Sequence, residues 1–519
     1  MSVPVLKSYL GGRWQTGSGR TSMLHNPTTG AVVAEACTEG LDFAAALTYA
    51  REVGGPALRA MTFAERGAML MTMSKSLHAH RDELLAMATS NGGNTRGDAK
   101  FDVDGCTGTL AYYSKLGAKL GDAHWIIDGE SKQLAANPRY IGQHVKVARQ
   151  GVAVHINAFN FPAWGFGEKA AVALLAGMPI VVKPATSTAQ LTERMFQILV
   201  EDGTCPAGSI SLIAGSPGDL VEHLGPQDVL AFTGSADTGA WIRGRDSILR
   251  AGVRVNVEAD SLNAAVLGPD IDRDSPCYDL FLREVARDMT QKAGQKCTAI
   301  RRIFVPADRT EEVSADLVEE IKRTRVGDPA ADGVRMGPLA TAQQYDDVRE
   351  GVQKLAEHCS FVYGDGGRGE LTGVEGDEGY FVGPTLLLAE DIDSAGIVHE
   401  LEVFGPVQTI IPYSGEASEA VRGVAMGCGG LVSSVYSDDK SFVRDMLFGL
   451  APYHGRLHLG HSKVAEHSPG PGTVLPQMVH GGPGRAGSGE ELGGLRGLDF
   501  YLQRCAVQGL KPLIEKTLA

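Results

Sequence analysis

The central third of the chain alternates short apolar runs with longer stretches in which apolar residues recur at intervals of three and four. The runs fall at 151–156 (GVAVHI), 179–183 (PIVVK), 209–213 (SISLI), 229–232 (VLAF) and 253–257 (VRVNV). Each is too short for a helix, and together they predict strands joined by helical crossovers. Strands connected in this way build a parallel sheet buried on both faces. A second series of the same kind starts near 263–267 (NAAVL) and passes a helix at about 277–292. It continues through 302–305 (RIFV), a charged helix at about 309–324, and segments at 380–384, 402–407 and 431–435. The pattern predicts an α/β protein with two such units.

The flanks read differently. Residues 1–50 predict short strands and loops around the turn at 26–30 (NPTTG), while 41–89 and 103–116 predict helices. Between 122 and 150 polar and apolar positions alternate, and Trp125, Ile127, Tyr140, His144 and Val147 are spaced as in strands that protrude or pair. Residues 467–491 are rich in Gly and Pro, which predicts an ordered loop or lid before a last helix near 492–504.

Composition removes several function classes. The 519 residues carry 48 Lys and Arg against 62 Asp and Glu, a formal net charge of -14, which argues against nucleic acid or an acidic membrane as the main partner. No uncharged run is long and apolar enough to span a bilayer, and residues 1–10 lack a secretory leader pattern. The eight cysteines are dispersed, with no CxxC or Cys/His ligand spacing. That usage predicts reduced thiols in a cytoplasmic protein and no metal.

Ligands of a parallel sheet gather beyond the carboxyl ends of its strands. Chemistry-bearing residues stand there. Asn160 follows the first run and offers an uncharged N–H suited to a developing oxyanion, although an Asn before Phe-Pro also simply shapes a turn. Lys183 ends the second run, where it either meets a ribose or phosphate or is merely solvated. Gly234 and Ser235 follow the fourth and open a helix, a place where free backbone N–H groups meet a phosphate, or where a tight turn needs a glycine. Glu258 ends the fifth. Shielding there predicts a carboxylate whose charged form is disfavoured, hence a general base nearer neutral pH; the plainer alternative is a pairing with arginine.

Cys297, in the segment 294–299 (GQKCTA), is a candidate nucleophile. A reactive thiol needs positive charge, backbone donors or a partner base, and Lys292, Lys296, Arg301 and Arg302 all lie within five residues of it. Most cysteines merely pack. The weight comes from the ordered set.

Asn-Phe-Pro at 160–162, Lys-Pro-Ala at 183–185, Phe-Thr-Gly-Ser at 232–235, Val-Glu at 257–258, Gly-Gln-Lys-Cys at 294–297 and Glu-Val-Phe-Gly-Pro-Val at 402–407 form a series. It resembles the aldehyde dehydrogenase superfamily over roughly residues 10–500. The resemblance implies a Rossmann-type NADP-binding domain (1–121 and 149–260), a catalytic α/β domain (261–489) and small protruding oligomerisation segments (122–148 and 490–519). It implies Cys297 as nucleophile, Glu258 as general base, and Asn160 with the Cys297 N–H as oxyanion hole. Lys183 would touch the adenosine ribose, Gly234 and Ser235 the pyrophosphate, and Glu402 the nicotinamide ribose, with Phe404 packed beside it. Many NAD-preferring members carry a Glu three residues after the lysine, where it repels a 2′-phosphate. Here that residue is Thr186, which favours NADP, with NAD weaker. A homodimer is implied, with a dimer of dimers as the alternative.

Residues 257–263 (VEADSLN), 292–302 (KAGQKCTAIRR) and 480–486 (HGGPGRA) resemble the branch of the family acting in aerobic, CoA-linked breakdown of aromatic acids, the benzoyl-CoA epoxidation route included. At 519 residues the chain is expected to lack the hydratase domain of the bifunctional members. The expectation is a stand-alone enzyme oxidising a CoA-thioester semialdehyde to the free acid. The rivals are a phenylacetate-pathway semialdehyde, a simple aliphatic aldehyde, an acylating enzyme and a non-catalytic homologue.

Overall fold

The five apolar runs become the strands Ala153–Ile156, Ile180–Lys183, Ile210–Leu212, Val229–Thr233 and Arg254–Glu258 of a computed structural model that describes residues 3–518. Residues 1, 2 and 519 of the expected segments lie outside the described residues. In space the order is fifth, fourth, first, second, third, all parallel, with Ser8–Leu10 and Arg13–Gln15 added antiparallel at one edge. The winding therefore reverses between Ala153–Ile156 and Val229–Thr233. A crevice opens beyond the carboxyl ends of strands at such a reversal.

Helix Trp164–Ala176 shows why this sheet is buried. Every one of its residues except Glu168 is buried, because its Ala and Gly positions let it lie close against its neighbours. Phe166 packs on Phe196 with ring centroids 5.2 Å apart. Truncating so enclosed a ring to Ala costs about 3–5 kcal/mol. Glu168 alone stays half-buried.

The second sheet runs Cys359–Tyr363, Thr385–Ala389, Val407–Tyr413, Arg302–Pro306, Ala264–Leu267, Gly430–Tyr436 and His454–Gly460, parallel except for its first pair. The segments at 380–384 and 402–406 precede their strands rather than forming them. Glu402 and Cys297 accordingly lie before the amino ends of Val407–Tyr413 and Arg302–Pro306. The carboxyl edge of the first sheet thus meets the amino edge of the second.

Two expectations about the tail need correction. The last helix covers only Leu495–Tyr501, and the chain continues as strand Leu502–Leu510 and helix Lys511–Leu518. That strand pairs antiparallel with Tyr140–Ala148, which pairs with Ile126–Gln133, so the alternation at 122–150 does mark a separate three-stranded sheet. The Gly- and Pro-rich stretch is no plain loop either. It contains the hairpin Val479–Gly482 and Gly489–Leu492. The glycines between those strands permit contact with the first sheet: at Gly487, with φ at 97°, an added Cβ would stand 2.3 Å from the Val257 carbonyl oxygen. No helix among the described residues is long and apolar enough to cross a membrane.

Candidate active site

Cys297 is delivered by a turn that most residues resist. After helix Pro276–Thr290, Lys292, Ala293 and Gly294 have φ of 54°, 51° and 70°, three consecutive left-handed residues of which only the last escapes a Cβ penalty. A Cβ on Gly294 would lie 2.1 Å from the Gly405 carbonyl oxygen. The strain is held in place from outside. Asn263 Nδ2 donates to the carbonyls of Cys297 and Ala299 at 2.8 and 2.9 Å, and Thr298 Oγ1 donates to Gly472 at 3.1 Å. Over-determined strain of this kind clusters at functional sites.

Asn160, Glu258 and Cys297 come together across the two sheets and line the same cavities. Asn160 Nδ2 donates to the Gln295 carbonyl at 3.0 Å, which fixes the amide and leaves its second N–H free. Glu258 is 2% exposed at the end of its strand. Burial pushes its carboxyl up, but His480, Lys169 and the Cys297 thiol outweigh burial and hold it well below the usual carboxylate range. The expected upward shift is therefore reversed, because the strand end is shielded from water yet crowded with positive charge.

His480, when protonated, supplies much of that charge. Its Nε2 lies 3.2 Å from Glu258 Oε1 and 4.0 Å from Cys297 Sγ. Behind it stands a second buried group: Lys169 Nζ is 2.9 Å from Glu168 and 3.0 Å from Glu491, and Glu491 also accepts from Asn256 Nδ2 at 3.0 Å. The carboxylates of Glu168, Glu258 and Glu491 come within 4.8 Å of one another. Burial pushes the Glu491 carboxyl up, with Glu168 and Glu258 adding to it and Lys169 opposing.

The cations flanking Cys297 in sequence are engaged mainly by other partners. Lys296, fully buried, pairs with Asp288 at 2.6 Å. Lys292 Nζ lies 4.5 Å from the Phe161 ring centroid. Arg301 donates to the Gly405 and Lys296 carbonyls, and Arg302 to the carbonyls of Leu262, Gly423 and Val424. Burial, with Glu258 adding to it, pushes the Cys297 thiol well above its ordinary range. The reason for expecting an activated sulfur was thus misplaced by sequence distance.

Two cavities meet at Asn160, Thr233, Glu258 and Cys297. The larger, about 560 Å³, is also lined by Gly234 and Ser235 and by Glu402 and Phe404, and lies within the range of roughly 300–1,000 Å³ that small-molecule sites occupy. Ser235 caps helix Ala236–Arg243 through Thr238 N. Burial raises the Glu402 carboxyl to about 7; its Oε2 accepts from Ser261 N at 3.0 Å, while the buried Oε1 has no hydrogen bond and lies 3.5 Å from Arg301. Phe404 meets Phe159 edge-on at 5.9 Å. Thr233 Oγ1 is also buried without a partner. A cavity lined by a helix N-terminus and by orphaned hydroxyl and carboxylate oxygens fits a dinucleotide. The smaller cavity, on the far side of Cys297, is walled by Phe101, Phe161, Trp164, Val474 and His480.

Lys183 and Thr186 share the sheet edge but stand outside the lining of the larger cavity. No carboxylate among the described residues pairs with Lys183, and burial brings its amine down to about 8. His480 entered the sequence reading only within the 480–486 segment and without a role; Glu491, Glu168 and Lys169 escaped it. His480 and Glu491 are register partners in a hairpin whose glycines hide its alternation; Glu168 and Lys169 sit in an apolar helix with no flanking motif.

The family model for the aldehyde dehydrogenase family matches residues 14–507. The chain is 42% identical over 478 residues to the 3,4-dehydroadipyl-CoA semialdehyde dehydrogenase of Aromatoleum evansii, which covers 92% of this chain and 93% of that protein. To human retinal dehydrogenase 2 it is 28% identical over 85% of this chain and 81% of that protein. Among solved structures, betaine aldehyde dehydrogenase from Staphylococcus aureus in complex with NAD+ shares the fold with a TM-score of 0.84 at 22% identity, covering 98% of this chain and 95% of that one. The chain belongs to the aldehyde dehydrogenase family, oxidoreductases that convert aldehydes with NAD(P).

Proposed function

We propose that the protein oxidises a CoA-thioester semialdehyde, 3,4-dehydroadipyl-CoA semialdehyde or a close analogue, to the free acid with NADP. The observation that carries the reading is the meeting of Cys297, Glu258 and Asn160 where the two cavities join. Cys297 Sγ adds to the aldehyde carbon, and the free N–H of Asn160 receives the developing oxyanion of the thiohemiacetal. The nicotinamide, when bound in the larger cavity, supplies the hydride acceptor. Glu258 then takes a proton from the water that releases the acid from the Cys297 thioester. Glu402 and Phe404 would hold the nicotinamide end of the cofactor, and Gly234, Ser235 and Lys183 its adenosine end.

The substrate class is supported by the relative that is 42% identical over 92% of the chain. NADP is supported by Thr186, which puts no charge against a 2′-phosphate, and by the unpaired Lys183. The three-stranded sheet exposes Ile127 and Val147 on one face and Tyr140 and Leu510 on the other, with Leu513 beyond it, apolar surface suited to a homodimer built on 122–148 and 490–519. Free cysteines throughout suit the cytoplasm.

The test measures reduced-cofactor formation with the CoA semialdehyde and with plain aliphatic aldehydes, each with NADP and NAD. The expected outcome is a kcat/KM about 10²-fold higher for the CoA substrate with NADP. Equal rates with plain aldehydes would sink the substrate assignment, and a preference for NAD would sink the cofactor assignment.

A further inference from the structure

Cys297 and Glu258 each do their work as anions, the one as thiolate and the other as carboxylate. Side by side and shielded from water they oppose each other's ionisation. A counter-charge is needed within reach of both. The lysines and arginines adjacent in sequence are committed elsewhere. His480 is not: 3% exposed, it faces Glu258 at 3.2 Å and Cys297 at 4.0 Å. Its Nδ1 is buried without a protein partner, so no other group fixes its tautomer. The sulfur, the imidazole nitrogen and the carboxylate lie within 4.8 Å of one another.

We infer that His480 is a third catalytic residue, which accepts the Cys297 thiol proton and then stands as an imidazolium between thiolate and carboxylate. In this step the S–H bond breaks, its electron pair stays on sulfur, and the proton forms an N–H bond at Nε2. Net charge in the buried site does not change. Glu258 stays ionised throughout and remains available for the water step, so the two proton transfers fall to two different bases. The inference rests on the proposed nucleophile but not on the identity of the aldehyde.

The charged and titratable groups facing His480 are Glu258 from the strand, Cys297 from the turn, Glu168 from helix Trp164–Ala176 and Arg456 from strand His454–Gly460. Burial lowers the imidazole and Arg456 opposes its charge, but the carboxylates prevail and its affinity for a proton rises above that of a free histidine. This direction suits a proton acceptor, and the imidazolium so formed offsets the burial and the Glu258 charge that push the Cys297 thiol up.

The experiment is alkylation of the full chain by iodoacetamide without aldehyde or cofactor, as a function of pH, with Cys297→Ala as the blank. Wild type should react through a plateau that persists well below the titration of a free thiol. His480→Gln should lose the plateau, react about 10²-fold more slowly near neutral pH, and rise steeply with pH. Cofactor affinity and the unfolding midpoint should hold, which a packing role would not spare. Should His480→Gln fail to fold, the thiolate absorbance of wild type against Cys297→Ala gives the same titration. An unchanged alkylation profile, or a wild-type thiolate that appears only in the free-thiol range, overturns the inference. If Cys297 is not alkylated at all, the nucleophile of the proposed function fails instead.

Discussion

The turn at 291–302 and the hairpin at 479–492 both bring basic side chains toward Cys297, and they put them to opposite uses. The turn has four cations within five residues of the sulfur, each engaged by other partners: Lys296 by Asp288, Arg301 and Arg302 by carbonyls, Lys292 by an aromatic face. The hairpin has one histidine, 183 residues away in sequence, whose nitrogen reaches the sulfur. A left-handed turn needs external partners, so its neighbours become scaffold. The reactive partner must arrive from an element that owes the turn nothing.

The largest effect tests the hairpin side. Glu258 is the group that His480 and Lys169 keep ionised, and Glu258→Gln removes the water-activating base while leaving a similar shape. The first turnover should still release reduced cofactor as a burst, and the steady-state rate should fall about 10²–10⁴-fold. Rapid-mixing kinetics read both phases, and a steady-state rate equal to wild type would remove Glu258 from the hydrolytic step.

The turn side should answer in stability instead. Lys296→Met leaves Asp288 charged and unpaired in the interior, at a cost of about 3–5 kcal/mol in unfolding free energy. Adding Asp288→Leu should recover much of that loss, since a buried pair replaced by apolar groups is often neutral. Denaturant midpoints measure both. In whatever fraction stays folded, the pH profile of Cys297 alkylation should match wild type. If it moved, the division between scaffold and reactive cations would collapse.

The same contrast explains what the sequence made legible. Residues after short apolar runs were readable because a parallel sheet fixes where strand ends point, so Asn160, Gly234, Ser235 and Glu258 could be placed at one edge before any coordinates. Cys297, Glu402 and Phe404 came from motif order, not from this rule, for they precede their strands. His480 and Glu491 were invisible in role, because glycines that let the hairpin touch the Val257 backbone also erase the alternation that marks a strand. The electrostatics of Glu258 was misread for a related reason: burial follows from an apolar run, but the histidine and lysine that overrule it arrive from distant elements.

Lys183 offers the smallest and sharpest comparison, as a lysine that is neither committed like Lys296 nor close to the sulfur. Burial without a carboxylate partner lowers its amine to about 8, so it is charged at neutral pH and loses its proton as pH rises through that value. If it meets the 2′-phosphate, the dissociation constant for NADP should grow about fivefold between pH 7 and 9, the worth of roughly 1 kcal/mol for one partly solvated ion pair. The constant for NAD should move less, and Lys183→Met should flatten the NADP profile. Folding answers with the opposite sign. Above pH 8 the unfolded chain keeps a proton that the native amine has released, so the stability of the free protein rises with pH until the unfolded amine also titrates. Calorimetric titration of NADP beside thermal unfolding of the free chain over the same pH range separates the two trends. If NADP and NAD change in parallel, Lys183 does not read the 2′-phosphate.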